Sequence, residues 1–194
     1  PRPTIVAPAP HLCDEVSGAP VQATNVNLAV YNASVTNAPT VAWFSDPART
    51  VPVPGNIAPL VNNGANRIFY FTATGSGPSF CSNIGLLTFT VDALPSATDL
   101  NVQICEDAPP GTNAATGINL QGFENSITGG VGSRDVEWYE DAGLTILISP
   151  GVAVGAEQNY SVTADKTIFA KVINTASTVI PQCFDVANLV IDYQ

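Results

Sequence analysis

Apolar and polar residues alternate with a period of two in Val26-Asn27-Leu28-Ala29-Val30-Tyr31, in Phe69-Tyr70-Phe71-Thr72 and from Leu87 to Val91. A strand with one face in a core and the other in water leaves this pattern. Val136 to Tyr139, Thr167 to Ile173 and Ala187 to Tyr193 read the same way, and Gly129-Gly130-Val131-Gly132 and Asp141-Ala142-Gly143 supply turns between them. Helix signals are nearly absent. Short strands at regular spacing, about one hundred residues at a time, predict a two-sheet sandwich.

The pattern occurs twice. Cys13-Asp14-Glu15 is answered by Cys105-Glu106-Asp107, and Val41-Ala42-Trp43-Phe44-Ser45-Asp46 by Val136-Glu137-Trp138-Tyr139-Glu140-Asp141. Ile68-Phe69, Cys81 and the strand from Leu87 to Asp92 are answered by Ile168-Phe169, Cys183 and the strand from Asn188 to Asp192. Each copy has the size of an independent domain. The expected division is 1–96, with a Pro-rich leading segment 1–12, and 97–194. The linker, Ala93 to Asp99, is short and stiffened by Pro95, which restricts the angle between neighbours and predicts a rod.

Hydrophobic residues make up 45% of the chain and charged residues 11%, with 16 Pro, 15 Gly and no Met. This is the look of a secreted β-protein and not of a cytosolic enzyme. A net charge of -10 excludes nucleic acid and anionic membranes as natural partners, since both need a positive face. The second copy holds twelve of the sixteen acids, so cation chemistry would be stronger there.

The four cysteines fall as one pair per copy, 68 residues apart for Cys13 and Cys81 and 78 for Cys105 and Cys183. Neither spacing is that of a CxxC metal or redox motif. The expectation is one intradomain disulfide per sandwich, tying the opening of each domain to its final hairpin and contributing up to ~4 kcal/mol on a chain-entropy argument. Buried free thiols and a zinc site are the weaker alternatives. Oxidised cysteines imply export, so targeting and anchoring segments are expected outside this sequence; no stretch has the length of a membrane-spanning helix.

Trp43 and Trp138 sit at matching places in alternating runs, which favours core packing over a sugar-stacking platform. Phe44 and Tyr139 point to the opposite face and are the better ligand-binding candidates. Asp99, Glu106, Asp107 and Asp141 are the candidate calcium ligands, with the domain junction near Asp99, Glu106 and Asp107 as the favoured place. No run of alternating Asp/Asn with Gly forms a dedicated loop, and acidic turns are ordinarily just solvated. Calcium apart, no cofactor is expected. No enzyme is expected either: the single histidine, His11, lies in the leading segment, and nothing sets two carboxylates across a cleft.

The order Cys-acid-acid, Val-x-Trp-aromatic-x-Asp, an Ile-Phe strand, a late Cys and a closing apolar strand resembles the Ig-like repeats of very large Bacteroidetes surface proteins. These include SprB-like gliding-motility adhesins and other cargo of the type IX secretion system. The resemblance spans both copies almost end to end. It implies an all-β chain of two tandem Ig-like antiparallel sandwiches in an extended array on the outer face of the outer membrane, serving in adhesion or as a stalk. Its partners would be neighbouring Ig-like repeats, with surface polysaccharide or another surface or secretion component as further candidates. The alternative is a carbohydrate-binding or calcium-dependent ligand-binding module of a secreted protein.

Overall fold

The computed structural model describes residues 2–15, 22–61, 67–76, 80–107, 111, 113–149 and 158–194. The chain divides into two compact units, Pro1–Ala93 and Leu94–Gln194. No helix among the described residues is long and apolar enough to cross a membrane.

The first unit holds β1 (His11–Cys13), β2 (Gln22–Asn27), β3 (Thr40–Phe44), β4 (Ile57–Val61), β5 (Arg67–Thr74) and β6 (Ser82–Asp92). One sheet has the order β1-β6-β5-β3, and β2 pairs with β4 in a second. The second unit repeats this plan. Strands β7 (Leu100–Ile104), β13 (Phe184–Tyr193), β12 (Lys166–Asn174) and β9 (Arg134–Tyr139) take the places of β1, β6, β5 and β3, with β10 (Leu147–Ser149) added beside β9. Strands β8 (Ala115–Ile118) and β11 (Tyr160–Val162) replace the β2-β4 pair. Each unit is thus an all-β, Ig-like sandwich. One feature departs from a purely antiparallel arrangement: the opening strand of each unit runs parallel to the last, β1 to β6 and β7 to β13.

Alternation sets the cores. Phe69, Phe71 and Ala73 of β5, Leu87, Phe89 and Val91 of β6 and Trp43 of β3 are buried together. In the second unit Ile168, Ala170 and Val172 take the β5 positions, Leu189 and Ile191 those of Leu87 and Phe89, and Trp138 that of Trp43, with Ala187 buried beside them. Trp43 is 2% exposed and Trp138 is fully buried.

The equivalence of the two copies shifts by one residue from the sequence match of Ile68-Phe69 with Ile168-Phe169. Phe69 pairs with Leu87 and faces the core, and its counterpart opposite Leu189 is Ile168. Phe169 pairs with Tyr139 and Asn188 on the other face. In a period-two element a slip of one residue exchanges inside for outside, so the burial pattern decides the match.

Opposite Trp43 and Trp138 the copies solve one packing problem differently. Phe71 lies across from Gly85, whereas Ala170 lies across from Ala187. A Cβ on Gly85 would come within 2.4 Å of the Phe71 ring and 2.9 Å of Ile5. The bulk of the phenylalanine takes the space its partner gives up.

Two local expectations change. The run Val26 to Tyr31 is strand only to Asn27, whose side chain accepts the Ala29 N–H at 3.0 Å and turns the chain into a 3-10 segment, Leu28–Tyr31. A one-turn α1 (Asn32–Val35) follows. The second copy builds a longer helix there, α2 (Gln121–Thr128), closed by Gly129 at φ 66°.

The intradomain disulfides Cys13–Cys81 and Cys105–Cys183 are not formed. Cys81 and Cys105 carry free, exposed thiols, while Cys13 and Cys183 are the disulfide-bonded cysteines. Strand direction is the reason. Cys13 lies beside Asp92, at the far end of β6 from Cys81, which immediately precedes Ser82. Cys105 follows Ile104, whose partner Tyr193 ends β13, while Cys183 precedes its first residue. At about 3.3 Å per residue each pair is separated by about 30 Å, far beyond the roughly 7 Å between Cα atoms that a disulfide spans.

Candidate functional site

The acids that follow each opening cysteine are structural clamps. Glu15 accepts from the Thr24 N–H and hydroxyl, both at 2.6 Å, and Asp107 does the same with Thr116, at 3.0 and 2.6 Å. The preceding acids act alike: Asp14 accepts the Gln22 N–H at 2.8 Å, and Glu106 those of Gly111 at 2.8 Å and Asn113 at 3.3 Å. The hydrogen bonds from the Thr24 hydroxyl and then its N–H hold the Glu15 carboxyl below its ordinary range. The motif therefore stitches the opening strand to the start of the second sheet.

Asp46 and Asp141 each organise a turn after the Trp strand. Asp46 accepts from the Thr50 N–H and hydroxyl, both at 2.9 Å, and from the Val51 N–H at 2.7 Å. Asp141 makes the same three bonds to Thr145 and Ile146, at 2.9, 2.9 and 2.7 Å. Both turns place a non-glycine residue in the left-handed region, Arg49 at φ 58° and Leu144 at φ 54°. The N–H of Val51 lowers the Asp46 carboxyl most and that of Ile146 the Asp141 carboxyl, ahead of the threonines, because each bond favours the charged acceptor.

Asp99 accepts the Asn188 N–H at 2.7 Å, pinning the start of β7 to β13. Glu106 lies beyond the other end of β7, about 23 Å away at strand rise. The four calcium candidates are thus placed apart, Asp99 and Glu106 with Asp107 at opposite ends of one strand and Asp141 in the turn after β9. No three His, Cys, Asp or Glu side chains gather to hold a metal among the described residues.

The tryptophans anchor the segment that joins the sheets. Trp43 Nε1 donates to Asn32 Oδ1 of α1 at 2.9 Å, and Trp138 Nε1 to Glu124 Oε1 of α2 at 3.5 Å. Phe44 and Tyr139, on the outer side of β3 and β9, are half-buried. Tyr139 donates to Glu137 Oε2 at 2.8 Å, the same oxygen that Lys171 Nζ reaches at 2.6 Å, and Lys171 also lies 5.2 Å from the centre of the Phe184 ring. Burial raises the Tyr139 phenol, and the bond to Glu137 and its charge push it further, to about 12. Burial works to raise the Glu137 carboxyl, but the hydrogen bonds from Lys171 and Tyr139 outweigh it and hold the group low.

Nothing in the local alternation marks Thr24, Thr50, Thr116 and Thr145 as partners of these acids. Each stands a fixed few residues after an acid in both copies, and that recurrence was the available signal.

No family model matches the chain, and neither does any curated protein. Among solved structures it is similar to EC1-2 of human mucin-like protocadherin, at 12% identity and a TM-score of 0.28, covering 99% of this chain and 98% of that one. Mouse cadherin-23 EC22-24 follows at 11% and 0.27, covering 100% and 67%. Sidekick-1 immunoglobulin domains 1-4 stand at 10% and 0.23, covering 97% and 51%. At TM-scores this low, it is the sheets described above, and not these neighbours, that define the architecture: an all-β pair of Ig-like sandwich units.

Proposed function

We propose that the chain is a structural and adhesive repeat segment of a large bacterial cell-surface protein, exported from the cell and acting as a rigid spacer, in the manner of the gliding-motility adhesins it resembles. One observation carries this reading. What the two copies share, the Trp anchor, the acid–threonine clamp and the aspartate turn, holds the scaffold together. A module built around a common ligand would repeat the ligand's contacts as well as the frame.

Antibodies against the chain should label intact cells of the source organism, and external protease should remove the label. Antigen found only after lysis would overturn the proposal. Titration with Ca²⁺ separates it from the ligand-binding alternative: a spacer keeps its melting temperature, whereas a calcium-dependent module gains stability by mass action.

A further inference from the structure

Each unit carries one cysteine at each of its two ends. The opening type, Cys13 or Cys105, stands where the first strand finishes beside the last. The hairpin type, Cys81 or Cys183, stands where the last strand begins: the Cys81 carbonyl accepts from the Gly75 N–H at 3.0 Å, and the Cys183 carbonyl from that of Asn174 at 2.8 Å. About 30 Å of strand keeps the two types from meeting inside one unit. The bonded cysteines are one of each type, Cys13 and Cys183, and the free, exposed ones are also one of each, Cys105 and Cys81. Every free thiol therefore has an equivalent, in the other copy, that is oxidised.

We propose that Cys105 and Cys81 are a complementary pair that forms disulfides between repeats, the Cys105 thiol of one chain bonding the Cys81 thiol of another repeat of this fold. This rests on reading the chain as part of an exported repeat array. The step is an exchange with a small disulfide as oxidant. The Cys105 thiolate attacks one sulfur of glutathione disulfide and expels a glutathione thiolate. The Cys81 thiolate then attacks the mixed disulfide and expels the second. Two protein thiols are oxidised, one disulfide is reduced to two glutathiones, and the two protons pass to the leaving thiolates. Such links would let a series of repeats resist extension without a cross-link inside any of them.

The test mixes equal amounts of the Cys81→Ser and Cys105→Ser variants of the 194-residue chain in a glutathione disulfide buffer, with non-reducing electrophoresis and peptide mapping as readout. Both substitutions lie at exposed positions, and the unchanged near-ultraviolet spectrum of the buried tryptophans reports folding. Cross-linked dimer joined Cys105 to Cys81 should exceed the one-half that random pairing gives, and the unmodified chain should form a ladder of longer species. Dimer at or below the random share would overturn the proposal, as would the absence of dimer while both thiols still react with a maleimide. Those outcomes leave cell-surface labelling untouched, and a failure of surface labelling leaves the pairing preference measurable, so the two ideas fall separately.

Discussion

Replacing Gly85 by alanine places a methyl carbon 2.4 Å from the Phe71 ring, closer than any carbon pair tolerates. The ring cannot swing clear: Phe71 is fully buried and packs against Trp43 at a centroid distance of 5.0 Å. Forcing a methyl into such a site costs about 1–3 kcal/mol. Phe71→Ala alone leaves a cavity and costs about 3–5 kcal/mol. Together they recreate the Ala170 and Ala187 pairing that the second unit uses at this place, so the added cost of Gly85→Ala should vanish in the Phe71→Ala background. The coupling between the two changes should then be about 1–3 kcal/mol in a double-mutant cycle. Urea unfolding followed by Trp43 fluorescence, with Trp138→Phe in every variant to silence the second unit, measures it. For a unit of this size each kcal/mol also moves the melting temperature by about 4–8 °C. A Gly85→Ala cost of less than about 0.5 kcal/mol, or one as large without the Phe71 ring as with it, would show that no such clash exists.

Asp46 and Asp141 are held below their ordinary range, so the unfolded chain binds protons more readily than the folded one. The stability they contribute is present above about pH 4 and is lost as the pH falls through their depressed values. Urea midpoints between pH 5 and 2 should show that loss, and it should shrink in an Asp46→Asn, Asp141→Asn double variant. Glu137→Gln removes the charge beside Tyr139, so an ultraviolet titration should find that phenol ionising at lower pH while burial still keeps it above ordinary tyrosine. Maleimide under native, non-reducing conditions should modify Cys81 and Cys105 and leave Cys13 and Cys183 untouched; mass-mapped label at the latter two would contradict their being oxidised.

The duplication, the all-β class and the buried tryptophans can be read from the residues alone, because each of these is written in local spacing. Period-two alternation tells a strand which face to bury wherever it lies, and the matched Trp43 and Trp138, one in each copy of the same run, need no knowledge of neighbours. The roles of the acids were half legible: their recurrence was visible, but their threonine partners lie up to nine residues downstream, and only the returning chain brings them into reach. Strand direction is set only when the chain packs back on itself. Because the opening strand of each unit lies parallel to the last, the two cysteines of a copy stand at opposite ends of a strand of ten or eleven residues. Sequence separation says how much chain lies between two thiols. Which way the strands run says whether they can meet.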